Sequence, residues 1–290
     1  MRRIEESELI VNPDGSIYHL HIRPEQLADD IIVVGDPQRV EIISNYFDTI
    51  ECKVSNREFV THTGTINGKR ITALATGIGT DNIDIVMNEL DAVVNIDLEK
   101  RQLKEKTKSL NIVRLGTSGA LQEHIPVDSF VFSTYGLGLD GLLNYYAGRD
   151  TVIDQEMTQA FVDYAQWEKD FSRPYIIRSS KALEERISGG MFKGITATAP
   201  GFYGPQGREL RLPLAHPEVN ELLQGFKYKD NLITNFEMET SAIYGLGSLL
   251  GHNTATVCAI IANRYNKTFS ADYKKTVVKL IEELLSKLTS

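Results

Sequence analysis

Seven short, nearly continuous apolar runs alternate along the chain with longer stretches in which apolar positions recur every three or four residues. The short runs are IIVVG (31–35), RITALAT (70–76), NIVRLG (111–116), SFVFSTYG (129–136), FKGITATA (192–199), ITNFEM (233–238) and ATVCAIIAN (255–263). Continuous hydrophobicity suits strands covered on both faces. Helical periodicity runs through 36–47, 82–96, 156–171, 239–251 and 272–288, with Asp or Thr near several starts. This alternation predicts a three-layer α/β/α sandwich. No Pro/Gly/Ser linker or fixed-period repeat divides the sequence, so residues 1–290 are expected to form a single domain. The charged insertion at 97–110, DLEKRQLKEKTKSL, is expected to be a solvated helical extension rather than a binding tail.

Composition narrows the function classes. With 290 residues, 42% of them hydrophobic, the chain can bury one large core. A net charge of −8 disfavours nucleic-acid binding, which needs a basic face, but leaves room for a small anionic substrate in a local basic pocket. No apolar stretch reads as a signal peptide or a membrane span, so no membrane contact is expected. The widely separated Cys52 and Cys258 argue against a disulfide framework or a structural zinc site, and a cytosolic setting is expected.

The candidate chemistry is spread along the chain. In TNFEMETSA, Glu237 and Glu239 flank Met238, and their carboxylates are expected to project to different sides. One carboxylate could clamp a cis-diol while the other is tied to the scaffold, although a Glu pair can equally serve a helix start. At the end of the first strand stand Gly35, Asp36, Pro37 and Arg39, suited either to an anion or to an ordinary strand-to-helix turn. Arg114 interrupts an apolar run, so it needs a partner: an internal carboxylate, or an oxyanion held with the expected small-residue turn Gly116, Thr117, Ser118 and Gly119. Arg57 beside Glu58, and His19 beside His21, are not diagnostic alone. In GFYGPQGREL, Phe202 could stack on a heterocycle while Gln206 and Arg208 match the hydrogen-bonding edge of uracil; a surface loop is the plainer alternative.

Taken in order, GDPQR, REF, TGIG, RLGTSGA, FYGPQGR and FEMETSA resemble the nucleoside phosphorylase-I family over nearly the whole chain, with the FYxxQGR loop pointing to its pyrimidine branch. The resemblance implies a mixed central β-sheet and phosphorolysis of uridine to uracil and ribose 1-phosphate. Inorganic phosphate would be the co-substrate, and no organic cofactor would be needed. It implies phosphate ligands at Gly35, Arg39, Arg114 and Thr117, with Arg57 supplied by a neighbouring subunit, so that a homo-oligomer shares its sites. Glu239 and Met238 would hold ribose, Glu237 would support them, and His19 would reach the 5′-hydroxyl from the neighbour. Phe202, Gln206 and Arg208 would read the base beside an apolar wall of Ile260 and Ile261. Catalysis would fall chiefly to Arg114, Glu239 and Arg208.

Purine cleavage is disfavoured because AIIANRYN offers no acid before Arg264. Asp81 and Asn82 replace the family's usual Pro-Ser, which leaves open the monovalent-cation site that the resemblance suggests at Glu58 and Ile78. A nucleosidase using water, a non-catalytic nucleoside-binding protein and a protein with purely structural motifs are the competing readings. Three candidate phosphate arginines oppose the first of them.

Overall fold

The computed structural model describes residues 3–290. In chain order its elements are β1 (Asp30–Val34), α1 (Pro37–Ser44), β2 (Thr49–Asn56), β3 (Phe59–Ile66), β4 (Lys69–Ala75), α2 (Thr80–Asn95), β5 (Ile96–Asp97), β6 (Gln102–Leu103), β7 (Asn111–Ala120), β8 (Phe130–Gly138) and α3 (Gln155–Ala165). They continue as β9 (Tyr175–Arg178), α4 (Lys181–Ile187), β10 (Phe192–Thr198), α5 (Val219–Gly225), β11 (Lys227–Tyr228), β12 (Asn231–Glu237), α6 (Thr240–Leu250), β13 (Asn253–Asn263), β14 (Thr268–Phe269) and α7 (Tyr273–Thr289). All seven apolar runs are strands.

The main sheet runs β11-β12-β10-β8-β13-β7-β1-β4-β3-β2 and is mixed: β1 lies parallel to β4 and β7, whereas β13 is parallel to β7 and antiparallel to β8. Strand β12 also pairs antiparallel with the end of β7, Asn235 opposite Ala120 and Phe236 opposite Gly119. That contact curls β7, β13, β8, β10 and β12 into a closed ring, bringing Arg114 and the Glu237 segment to the same end of the sheet.

Strand periodicity divides the core. On β1, Ile31 and Val33 pack with α2 and α6, while Ile32 and Val34 pack with α1, α4 and α7. A third cluster joins Leu137, Ile195 and Phe236 to Met157 and Phe161 of α3 and Leu223 of α5. The layered α/β/α order follows from these two-sided strands.

Three local expectations need correction, and one strand pair was not expected. Residues 97–110 are not helical: β5 and β6 make a two-residue-deep hairpin, Ile96 opposite Leu103, and Ile4 N–H donates to Arg101 O at 2.8 Å. Residues 116–119 form no turn but continue β7, paired with Cys258 to Ala262 of β13. Helix α3 stops at Ala165 because Gln166 takes φ +46°, after which Trp167 N–H donates to Val162 O and its ring returns to Phe161. The polar, largely exposed β2 and its partner β3 escaped the apolar pattern because β2 is the edge strand.

Leu280 of α7 is wholly buried in the second cluster. Leu280→Ala is expected to lower the unfolding free energy by about 2–5 kcal/mol, measured by urea titration.

Candidate active site

Strand β12 ends at Glu237, and the chain turns through Met238 and Glu239 into α6. Contrary to expectation, the two carboxylates do not project to different sides, since residues two apart along an extended backbone share a face. Both meet the Arg114 guanidinium, with Nη1 3.2 Å from Glu237 Oε2 and Nη2 hydrogen-bonded to Glu239 Oε2. The internal-carboxylate partner considered for Arg114 is therefore present. Gly116, two residues along β7, leaves room for this guanidinium, since a Cβ there would collide with it.

Each carboxylate is also anchored. Glu237 accepts the Glu239 and Thr240 amides, both at 2.9 Å, and the Thr198 hydroxyl at 2.6 Å, so it caps α6 from the preceding strand. Glu239 Oε1 accepts Gly79 N–H at 2.9 Å. Burial opposes the charge on Arg114, but Glu239 and Glu237 outweigh it and hold the guanidinium firmly protonated. Burial pushes the Glu237 carboxyl up, partly countered by Arg114.

Arg39 completes the polar end of the site. Asp36 caps α1 by accepting Gln38 N–H at 2.9 Å, and Pro37 takes the first helical position, which places Arg39 in the first turn. Its guanidinium has no hydrogen bond or ion pair among the described residues. Burial lowers its pKa, Asp36 partly counters that, and Arg114 adds to the lowering, so the two cations are electrostatic neighbours. Such an unpaired guanidinium is suited to an anion. A Cβ on Gly35 would lie 3.4 Å from Gly77 O, so the Gly77–Gly79 loop bridges the first strand end and Glu239. Thr117 stands farther along β7 than Arg114, half-buried, with its hydroxyl unbonded among the described residues.

The loop after β10 assembles the three proposed base-reading residues. Arg208 lies 3.9 Å over the Phe202 ring and donates at 2.6 Å to both Phe202 O and Gln206 Oε1. Gln206 is buried, whereas Phe202 keeps half of its surface exposed. Burial and then Arg264 push Arg208 down to about 10. Arg264, which held no role in the sequence reading, donates to Gly207 O at 3.4 Å and buries Nη1 without an acceptor. Nothing in its local sequence marks it, because the contact joins β13 to a loop 57 residues away.

Other candidates stand apart. His19 and its amide bind Glu89, with Nδ1 2.6 Å from Oε1; Asn56 donates to His19 O, and Arg57 lies over the Tyr18 ring. His19 and Arg57 thus share one surface and touch none of Arg39, Arg114 or Glu239 of the same chain. Ile260 is sealed among Ala120, Ile125 and Val131, while Ile261 remains half-buried. Glu58 lies beside Gly77, and Ile78 is exposed. A cavity of about 760 Å³ adjoins the base loop, lined in part by Trp167, Phe171, Tyr203 and Arg208, and includes none of Gly35, Arg39, Arg114 and Thr117. The convergent charges of Arg39, Arg114 and Glu239 lie outside that apolar cavity and form the candidate catalytic centre.

The description of the phosphorylase superfamily matches residues 29–289. The chain belongs to the phosphorylase superfamily. Among its superfamily relatives, a uridine phosphorylase of Thermococcus kodakarensis is 28% identical over 93% of this chain and 86% of its own length. One from Haemophilus influenzae is 29% identical, covering 94% of this chain and 97% of that protein. A crystal structure of a Trypanosoma brucei nucleoside phosphorylase, described as showing uridine phosphorylase activity, superposes with a TM-score of 0.84 at 31% identity, over 96% of this chain and 99% of that one.

Cys258 lies 3.6 Å from Arg114 Nη1, wholly buried, and burial pushes its thiol up to about 11. At pH 8 iodoacetamide is expected to spare Cys258 in the native protein and to modify it after unfolding, as read by peptide mass spectrometry.

Proposed function

We propose that the chain is a phosphate-dependent uridine phosphorylase, converting uridine reversibly to uracil and ribose 1-phosphate in pyrimidine salvage. The observation that carries this reading is the unpaired Arg39 next to the Arg114–Glu239 pair, a cationic anion seat adjoining a diol-type carboxylate. The Phe202, Gln206 and Arg208 assembly supports a pyrimidine leaving group, and the activity named for the T. brucei structure supports the same choice.

Charge development explains the division of labour. As phosphate approaches the anomeric carbon and the glycosidic bond lengthens, ribose becomes cationic and the departing uracil anionic. Arg39 and Arg114 hold the nucleophile, Thr117 and the Gly35 backbone complete its seat, and Glu239 orients the sugar above Met238. Arg208 and Gln206 exchange their mutual hydrogen bond for bonds to the uracil edge and stabilise its developing charge. No covalent nucleophile or organic cofactor enters. Arg57 and His19 would serve a neighbouring subunit's site, which their shared surface, separate from the chain's own charged centre, supports. A monovalent cation near Glu58 and Ile78 belongs to the same proposed interface. The free Cys52 and Cys258 support a cytosolic setting.

Uracil release should require phosphate and yield ribose 1-phosphate; equal release without phosphate would identify a nucleosidase, and binding without turnover a nucleoside-binding protein. Arg39→Ala should raise the phosphate KM roughly 10- to 100-fold, corresponding to one lost charge-assisted hydrogen bond. Arg57→Ala and Glu239→Gln subunits, each weak alone, should regain activity when co-assembled, because a hybrid site receives both native residues. Failure to regain activity in verified mixed oligomers would remove the shared-site assignment.

A further inference from the structure

Strand β8 carries Gly136 and Gly138 two residues apart, and both admit a close approach. A Cβ on Gly136 would lie 3.1 Å from Ser241 Cα, and one on Gly138 would enter the Tyr175 ring. The first turn of α6 and Tyr175 therefore rest directly on the strand backbone. Just beyond β8, Asp140 accepts the Tyr175 hydroxyl and the Ser241 hydroxyl, each at 2.8 Å, together with Leu142 N–H at 2.8 Å. Asp140 has no cationic partner among the described residues, so neutral donors alone compensate this half-buried carboxyl group. Burial, and then Asp140, raise the Tyr175 phenol well above its usual range, keeping it a donor.

The chain of contacts continues to the charged centre. Ser241 N–H donates to Thr198 Oγ1 at 2.9 Å, and the Thr198 hydroxyl donates to Glu237 Oε1 at 2.6 Å. Glu237 in turn holds the amides of Glu239 and Thr240. The start of α6 is thereby fixed twice, through the Ser241 side chain by Asp140 and through the Ser241 amide by Thr198. Glu239 stands immediately before that turn.

We propose that Asp140, Tyr175, Ser241 and Thr198 form a positioning relay that sets the Glu239 carboxylate for the sugar. None of the four touches substrate; each acts through the geometry of α6. The inference rests on the reading of Glu239 as the ribose clamp. Displacing that carboxylate by an ångström would lower turnover by up to about 100-fold without removing a phosphate ligand.

A double-mutant cycle measures the relay. With uridine and saturating phosphate, Thr198→Val and Asp140→Ala should each lower kcat/KM by about 10- to 100-fold, and Thr198→Ser should restore most of the loss. In a Glu239→Gln background the same changes should cost less than about two-fold, because the group they position is already disabled. Thermal unfolding verifies each fold, and Ser241→Ala cuts the same link if Asp140→Ala does not fold. Losses that simply add to that of Glu239→Gln, or an unaffected Thr198→Val enzyme, overturn the relay alone. A wild-type chain that makes no ribose 1-phosphate overturns both the relay and the functional reading on which it rests.

Discussion

The pairing of Arg114 with Glu237 and Glu239 is the interaction around which the site is organised. A guanidinium placed inside a buried strand must be compensated by hydrogen-bonded opposite charge. That demand accounts for the empty space at Gly116, for the turn that brings the second carboxylate round after β12, and for the Gly79 amide aimed at Glu239. Buried ion clusters contribute little net stability compared with apolar packing, so the value of this one lies in the geometry it imposes. Two carboxylates on one guanidinium leave excess negative charge when all three are ionised. The neighbouring unpaired Arg39 offsets it, and burial acts on Glu237 in the same direction.

On the proposed reading this charge pattern fits a reaction that separates charge. Arg39 and Arg114 gather with Glu239, and the base loop carries Arg208 beside Arg264. Burial and Arg264 make the Arg208 cation less favourable, so in the proposed reaction a base that gains negative charge as it leaves would offset the repulsion between the two arginines. Arg208 is satisfied by Gln206 and Phe202. On the proposed reading, base binding would trade one set of hydrogen bonds for another. The whole molecule can remain acidic because these few arginines act locally in a partly desolvated setting.

The surface carrying His19, Tyr18, Asn56 and Arg57 has a different character. Its histidine is fixed by Glu89, and the exposed Arg57 has an aromatic ring beneath it. Such a pre-ordered cluster is suited to meeting a site on another subunit, since its side chains lose little freedom on assembly.

The seven apolar runs determined the main strands and the layered architecture, because two-sided burial leaves a mark on every residue of a strand. The residues Arg39, Arg114, Glu239, Phe202, Gln206 and Arg208 stood out as candidates through the order of their motifs, since each local setting alone also allowed a plain turn, helix start or surface loop. Tertiary structure decided where those groups point. The ring closed by β12 and β7 brings Glu237 and Glu239 to one guanidinium, a partner 125 residues from Glu239 that no local pattern names. Gly116 to Gly119 look like a turn in isolation, but pairing with β13 satisfies their backbone and keeps them in a strand. Asp140, Thr198, Ser241 and Arg264 act through contacts between distant segments, and a hydroxyl or guanidinium acquires that role only when the sheet brings its partner within hydrogen-bond reach.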